Sequence, residues 1–201
     1  MPPTDDRADT DRPPGTAPHR RPDEPGRAVG GDVDGGAGDV DCREAVADDW
    51  PAIWPIVSRV LAGGDTYVYP PDVSESEARS IWMHDGDREA TYVAEIEGRV
   101  VATAYLRPNQ PGQGAHVANA GWMVDPDVSG RGLGRRLGEF VIDDARRRGF
   151  RAMQFNAVVA TNAGAVRLWS SLGFAIVGTV PEAFSHPSEG FVDVHVMHRR
   201  L

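Results

Sequence analysis

Apolar positions over residues 39–201 repeat with two different periods, which predict a mixture of strands and helices. Alternating or short continuous apolar runs predict strands near Val40 and over 91–96, 99–105, 116–124, 152–159, 175–180 and 192–199. Helical spacing predicts helices over 50–61 and 78–83, a longer one from Leu133 to near Gly149, and another after Asn162. This order of elements is typical of an α/β layer fold with a mixed central sheet flanked by helices.

Turn and capping residues mark the ends of these elements. Glu97-Gly98 has the composition of a hairpin turn, and 181–190 is predicted to be a long loop. Asp48-Asp49 is predicted to cap the helix that begins at Trp50, and Ser74 and Glu77 have the spacing of a capping box.

The first 38 residues differ in composition from the rest of the chain. They are rich in Pro, Gly, Asp and Arg, and they contain no aromatic residue and no apolar periodicity. Such a segment buries too little apolar surface to offset its ordering entropy, so we predict a disordered tail over 1–38. A partner-docking arm is the alternative. Residues 39–201 are predicted to form one folded domain.

Charge and cysteine content exclude several classes of function. A net charge of −9 argues against a nucleic-acid-binding surface. Cys42 is the single cysteine, so the chain forms no intrachain disulfide and suits a reducing compartment. No apolar run approaches the roughly 20 residues that a membrane-spanning helix requires, and we expect a cytoplasmic protein with no membrane partner.

A glycine-rich stretch joins the strand at 116–124 to the long helix. Gly130, Gly132 and Gly134 alternate with Arg131 and Leu133 where the helix begins. Exposed backbone N–H groups at a helix start, reinforced by nearby arginines, predict a site for phosphate or pyrophosphate. The stretch lacks the Lys-Ser/Thr pair of an ATP-binding loop and the Gly-x-Gly-x-x-Gly spacing of a dinucleotide fold. A plain strand-to-helix turn that needs glycine remains the alternative.

The segment VDPDVSGRGLGRRLGEFVIDDARRRGF resembles the acyl-CoA-binding motif of the GNAT (GCN5-related) N-acetyltransferases. Gly132 and Gly134 match that motif, while Ser129 stands where the family prefers Arg or Gln. The later segment TNAGAVRLWSSLGF resembles a second family motif, with Trp169 in place of the usual tyrosine. The resemblance covers about residues 39–201 and implies a GNAT-type acyl-CoA N-acyltransferase fold, acetyl-CoA as co-substrate and no metal.

The same resemblance implies where acetyl-CoA binds. Its pantetheine arm is expected between the strands at 116–124 and 152–159, with backbone hydrogen bonds from Met123 and Val124. The pyrophosphate is expected on the cradle of Gly130, Arg131, Gly132, Leu133, Gly134 and Arg135, and Asn162 is expected to contact CoA. The two early helices are expected to form one wall of the acceptor pocket. Four aromatic residues there are candidates for substrate shape or, alternatively, for core packing: Trp54, Tyr67, Tyr69 and Trp82.

TAYLRPNQPGQGAHVANAGWMV and FNAVVATN are similar to segments of the fungal N-acetyltransferases that detoxify L-azetidine-2-carboxylate and related proline analogues. Asn119 and Asn156 match two asparagines that hold the substrate there, and they are our candidate catalytic residues. An amide offers both a donor and an acceptor without adding charge. Alternatively, these asparagines satisfy sheet backbone at a bulge. His116 is a candidate base, but strand alternation puts it on the opposite face from Asn119, so it is interpreted as structural. His186 in the last loop is a candidate pocket residue, with a solvent-exposed position as the favoured alternative.

These observations predict an enzyme that moves acetyl from acetyl-CoA to the amine of a small molecule by direct attack. An amino acid or a proline-like imino acid is the favoured acceptor. Two alternatives remain. One is acetylation of a peptide or protein N-terminus. The other is a non-catalytic acyl-CoA-binding sensor, because Trp169 stands where the resembled family has the tyrosine that donates a proton to the thiolate. A homodimer is possible by the same resemblance.

Overall fold

A mixed eight-stranded sheet organises the part of the chain that the computed structural model describes, residues 40–128 and 130–201. The tail predicted over 1–38 lies outside these residues. The strands are β1 (Val40–Glu44), β2 (Asp85–Gly86), β3 (Glu89–Ile96), β4 (Arg99–Pro108), β5 (Val117–Val124), β6 (Ala152–Val159), β7 (Ala175–His186) and β8 (Gly190–Arg200). They lie in the order β1-β3-β4-β5-β6-β8-β7, with β2 paired to β3. All of these pairs are antiparallel except β5 with β6, which makes the sheet mixed as predicted.

Helices cover both faces of the sheet. They are α1 (Trp50–Gly63), α2 (Glu75–Trp82), α3 (Leu133–Arg147) and α4 (Ala163–Ser171). Two separate buried clusters show which helices share a face. One joins α3 and α4 to the sheet through Leu137, Val141 and Trp169. The other joins α1 and α2 to the sheet through Ile53, Trp82 and Met123. The fold is therefore three-layered, with the sheet in the middle.

Capping residues act at most of the predicted helix ends. The capping box of α2 is present, because the Ser74 side chain accepts from the Glu77 backbone N–H and the Glu77 carboxylate accepts in return. Gly64 and Gly149 follow α1 and α3 with φ of 67° and 79°. Asp49 differs from the prediction: it does not cap α1. Its carboxylate instead accepts from the Val46 N–H and pairs with Arg43 at 2.7 Å.

The predicted loop over 181–190 is wrong, because β7 continues to His186 and only a short turn precedes β8. The pairing of β7 with β8 shifts between Val180 and Phe184, where a bulge takes up the extra residues. Glu182 has φ of 51° there, and its N–H donates to the Asp193 carboxylate at 3.0 Å. Pro181 and the polar residues after it, which had predicted a loop, therefore lie within a bulged strand.

The two central strands separate soon after they meet. Parallel pairing of β5 with β6 is limited to Val117 with Ala152 and Ala118 with Met153. Beyond those residues the strands diverge, and residues from both strands line one cavity. Hydrogen bonds at either end of β5 fix which backbone groups face this gap. Val117 and Asp125 bond toward β4, so alternation directs the backbone of Trp122 and Val124 toward the gap.

A buried carboxylate anchors the turn that leaves β5. Asp125 is 4% exposed and accepts from Arg59 of α1 at 3.0 Å and from Arg99 of β4 at 2.5 Å. Its backbone N–H donates to Val101, and its carboxylate also accepts from the Asp127 N–H. These bonds hold α1, β4 and the approach to the glycine-rich stretch together.

No helix within residues 40–128 and 130–201 has both the length and the apolar character to cross a membrane.

We predict that Asp125→Ala lowers the free energy of unfolding by about 1.5–3 kcal/mol, because two arginines lose a buried charged acceptor. Asp127→Ala is the matched control, since Asp127 pairs with the same Arg59 but its side chain is 68% exposed. The control should cost clearly less. Urea denaturation of both variants measures the difference, and equal losses would contradict the anchoring role of Asp125.

Candidate active site

One cavity of about 820 Å³ opens where β5 and β6 diverge. Residues of both strands, the start of α3, one side of α4 and the segment between α1 and α2 line it. All of the predicted cofactor-binding residues except Arg131 take part: Met123, Val124, Gly130, Gly132, Leu133, Gly134, Arg135 and Asn162. Arg131 is exposed and does not line the cavity. Both candidate catalytic residues, Asn119 and Asn156, line the same cavity.

The glycine-rich end of the cavity has the features of an anion site. Gly130 and Gly132 adopt φ of 83° and 75°, the left-handed region, and a Cβ on either would meet nothing within 4 Å. Gly132 directly precedes α3, whose first N–H groups lack intrahelical partners. Arg135 adds a positive charge, and its guanidinium is held by Ser171 at 2.6 Å and Glu139 at 3.3 Å.

The backbone along the gap suits an extended, amide-rich ligand. Trp122 and Val124 direct their backbone groups into the gap, whereas those of Met123 face β4. The Tyr67 hydroxyl donates to the Trp122 carbonyl at 2.6 Å and occupies part of this edge. Two buried side-chain atoms of cavity-lining residues, Trp122 Nε1 and Thr66 Oγ1, have no hydrogen-bond partner among the described residues. The donors, the cradle and the gap therefore fit an acyl-CoA.

Aromatic rings form the middle of the cavity. The indole of Trp169 lies 4.6 Å from the Trp122 ring and 4.9 Å from the Phe155 ring, centroid to centroid. Trp169 is 7% exposed, so the residue that replaces the family tyrosine belongs to the core as well as to the cavity wall. An indole N–H can donate a hydrogen bond but is not an acid at neutral pH.

Asn119 joins the two central strands where they begin to diverge. Its amide nitrogen donates to the Gln154 carbonyl of β6 at 3.0 Å, and its oxygen accepts from the Tyr105 hydroxyl at 3.2 Å. The side chain therefore satisfies sheet backbone, which was the structural alternative, and also lines the cavity. Gly121 makes room for the tyrosine, because a Cβ there would lie 2.6 Å from the Tyr105 ring.

Asn156 sits at a bulge on the opposite wall of the gap. The pairing of β6 with β8 shifts between Phe155 and Val158, and such a bulge redirects side chains. The Asn156 oxygen accepts from the Gln154 side chain at 2.9 Å, and its nitrogen donates to the Asn109 oxygen at 2.7 Å. Sequence reasoning missed Asn109 and Gln154 as positioning residues. Asn109 lies within the segment TAYLRPNQPGQGAHVANAGWMV, whose similarity to the enzymes of proline analogues was the available signal.

Tyrosines from both walls complete the acceptor side. Tyr67, Tyr69 and Tyr105 line the cavity, and the first two were among the four candidate aromatic residues, for which core packing was the alternative. Burial raises the pKa of Tyr67 and of Tyr105 above that of a free phenol, so both hydroxyls stay protonated at neutral pH. Trp54 and Trp82 do not line the cavity; they pack in the core beneath α1 and α2. The two early helices were expected to form one wall of the acceptor pocket. This wall instead comes from the end of α1 and the segment that follows it, and α2 does not line the cavity.

Charged groups are sparse around the cavity. Among the described lining residues there is no Asp, Glu, Lys, His or Cys, and the charged side chains are those of Arg107 and Arg135. His116 is exposed and contacts the Gln113 carbonyl at 3.0 Å, and His186 contacts Ser188 in the β7–β8 turn. Neither histidine lines the cavity. Arg107 was also missed, because its position opposite Asn119 follows only from the register of β4 with β5.

Parallel strands that part beside a glycine-rich helix start form the arrangement expected of an acyl-CoA-dependent acyltransferase. The Acetyltransferase (GNAT) family profile matches residues 45–174, and the chain belongs to this family. The chain is 51% identical to a GCN5-related N-acetyltransferase from Kribbella flavida, with a TM-score of 0.78 over 81% of this chain and 98% of that one.

Two further similarities concern a curated protein and a structure with ligand. The N-acetyltransferase aca1 of Schizosaccharomyces pombe is 34% identical over 108 residues, which are 53% of this chain and 52% of that protein, so the match spans about half of its length. The structure of yncA, a putative acetyltransferase from Salmonella typhimurium with its cofactor acetyl-CoA, is 26% identical. Its TM-score is 0.69, over 82% of this chain and 95% of that one.

We predict that Gly132→Ala weakens CoA binding by about tenfold or more, since a side chain there strains the left-handed backbone by about 1–2 kcal/mol and narrows the cradle. Gly149→Ala is the matched control at the other end of α3. Gly149 has φ of 79°, and its Cβ would also meet nothing within 4 Å, but it does not line the cavity.

Calorimetric titration with CoA and urea denaturation together test this prediction. Both variants should lose similar stability, and only Gly132→Ala should lose CoA affinity. Equal CoA affinities in the two variants would show that the cradle does not bind the cofactor.

Proposed function

We propose that this chain is an acetyl-CoA-dependent N-acetyltransferase whose acceptor is the amine of a small molecule, an amino acid or a proline-like imino acid. The observation that carries the proposal is that Asn119 and Asn156 line the same cavity as the glycine-rich cradle. Family membership supports the acetyl transfer, and the resemblance to the enzymes of proline analogues supports the acceptor class.

Cofactor binding is assigned to one end of the cavity. Gly130, Gly132 and the first N–H groups of α3 would hold the pyrophosphate, with Arg135 beside them. The Trp122 N–H and the backbone groups of Val124 face the gap and would bond the amides of the pantetheine arm, while the Trp122 carbonyl accepts from Tyr67. Bound there, acetyl-CoA supplies an activated thioester. A backbone N–H directed into the gap is also suited to stabilise negative charge on an acyl oxygen, a contribution of about 3–4 kcal/mol in related chemistry.

The two asparagines are assigned to the acceptor. Tyr105 and Gln154 fix the amide of Asn119, and Gln154 and Asn109 fix that of Asn156. A fixed amide oxygen can accept a hydrogen bond from the acceptor amine and orient its lone pair, without carrying charge into the cavity. Positioning of this kind assists direct attack by the amine.

Direct attack is supported by what the cavity wall contains. No cysteine is among the described lining residues, and burial raises the pKa of Cys42, so that thiol is a poor nucleophile. The described lining residues also include no carboxylate or histidine that could take the ammonium proton. The acceptor is therefore assigned to bind as the neutral amine, its proton having passed to water beforehand.

The alternatives make different demands on the cavity. An acceptor site for basic protein tails would call for acidic groups, and none is present among the described lining residues. A sensor would bind acyl-CoA without turnover, and the replacement of the family tyrosine by Trp169 is the feature that favours it.

We predict that incubation with acetyl-CoA and a panel of amino acids and L-azetidine-2-carboxylate releases free CoA thiol above the rate of thioester hydrolysis. Asn119→Ala and Asn156→Ala should each lower kcat/KM by about 5- to 100-fold, the equivalent of one hydrogen bond of about 1–3 kcal/mol to the reacting amine. A thiol-reactive dye follows the reaction continuously.

Gln113→Ala is the control, because it removes an exposed amide outside the cavity and should leave turnover unchanged. Thiol release only with peptides would favour the N-terminal acetyltransferase, and tight CoA binding without thiol release would favour the sensor. Unchanged turnover in both asparagine variants would overturn their assignment as substrate-binding residues.

We predict that the pH dependence of kcat/KM follows the acceptor rather than the protein. The raised pKa of Tyr67 and of Tyr105 keeps both phenols protonated through neutral and mildly alkaline pH, so neither changes charge there. The neutral fraction of the acceptor amine rises as pH rises toward the pKa of that amine, and kcat/KM should rise with it. Two acceptors that differ in amine pKa should give profiles displaced by that difference. A midpoint common to both would instead reveal a titrating group of the protein.

A further inference from the structure

Arg107 lies directly beside a proposed substrate-binding residue. In the antiparallel pair of β4 and β5, Arg107 is opposite Asn119, and opposite residues project from the same face of a sheet. Both residues line the cavity. The next pair on that face is Tyr105 with Gly121, and the guanidinium carbon of Arg107 lies 5.3 Å from the Tyr105 ring centroid. This contact holds the cation over the acceptor side of the cavity.

The charge of Arg107 has no counterion in the described part of the chain. Arg107 is half-buried and forms no ion pair with any described residue, unlike Arg43, Arg59 and Arg148, which bind carboxylates. The described lining residues include no carboxylate at all. His84 is a further titratable neighbour: its ring lies 5.5 Å from that of Tyr105, centroid to centroid, and burial lowers its pKa, so it stays neutral at pH 7. An uncompensated, half-buried guanidinium favours an anionic ligand.

The phosphate groups of the cofactor are not that ligand. The glycine-rich cradle follows Val124 at the far end of β5. Asn119 precedes Val124 by five residues, which correspond to about 17 Å of strand. The cavity thus has one cation at each end, with Arg135 on the cradle side and Arg107 on the side of the asparagines.

We propose that Arg107 binds the carboxylate of the acceptor, so that the substrates are free amino or imino acids whose carboxylate stands next to the amine. This inference rests on the proposed acetyl transfer and narrows its substrate class. A carboxylate on the guanidinium of Arg107 leaves the adjacent amine beside Asn119, its cross-strand neighbour. Two-point binding of this kind orients the amine, and a planar guanidinium matches a carboxylate through paired hydrogen bonds.

The test compares an acid with its own amide. L-Proline and L-azetidine-2-carboxylate are titrated calorimetrically into CoA-saturated protein alongside their carboxamides, and kcat/KM is measured for all four. Wild type should prefer each acid over its amide by about 10- to 100-fold, as expected for a charged hydrogen bond. Arg107→Gln should abolish that preference by weakening the acid, with little change for the amide. Arg107→Lys should restore part of it, because the charge remains and the paired geometry does not.

Arg151→Gln is the matched control, since it removes the same charge from an exposed position outside the cavity. It should keep the full preference for the acid. The inference is overturned if wild type binds the acids no better than the amides, including if it binds neither, or if Arg107→Gln retains the preference. Failure of the proposed acetyl transfer would give a different result from failure of this inference. The acids would still bind in an Arg107-dependent manner, but no acceptor would release CoA thiol.

Discussion

The separation of β5 from β6 is the constraint on which the rest of the site depends. Two parallel strands in the middle of a sheet normally satisfy one another's backbone, yet these two are paired only at Val117–Ala152 and Ala118–Met153. Beyond that point the backbone groups of Trp122 and Val124 face a gap. Tyr67 donates to the Trp122 carbonyl. The other backbone groups that face the gap would be costly if buried without partners, so the gap calls for a ligand or solvent with amide-like hydrogen bonding. Side chains hold the strands apart: Asn119 bridges to Gln154, and a bulge follows in β6.

Few charged side chains line the cavity along this gap. The cradle and Arg135 are positive at one end and aromatic rings fill the middle, while Arg107, neutral amides and tyrosines surround the other end. A site without carboxylates binds an amine weakly when it is an ammonium ion and more readily when it is neutral. The cavity therefore favours the protonation state that can attack an acyl group. In the proposed mechanism, positioning and hydrogen bonding by the fixed amides of Asn119 and Asn156 stand in place of a general base.

Sequence reasoning found most of the fold because local signals were strong. The helical stripe from Leu133, the capping box at Ser74 and the Glu97-Gly98 turn depend only on neighbouring residues, and each is present. The loop predicted over 181–190 was wrong because a bulge is stabilised from outside the segment, by Asp193. The glycine-rich stretch was likewise predicted from spacing, and its residues other than Arg131 line the cavity. Arg107 and Gln154 were not predicted, because they reach the site through strand register and cross-strand contacts that no local pattern reveals.

The register of β4 with β5 determines which side chains lie together at the asparagine end of the cavity. It depends on the loop between them, where Asn109 donates its backbone N–H to Val117 and its side chain accepts from Asn156. Asn109 therefore extends the strand pairing that places Arg107 opposite Asn119, and it also fixes the amide on the opposite wall. A shift of one residue in this pairing would turn Arg107 to the other face of the sheet, because strand side chains alternate. The loop that fixes the Asn156 amide is thus also the connection between the two strands that bring Arg107 opposite Asn119. If the proposed roles of these residues hold, the choice of acceptor and the orientation of its amine are physically coupled.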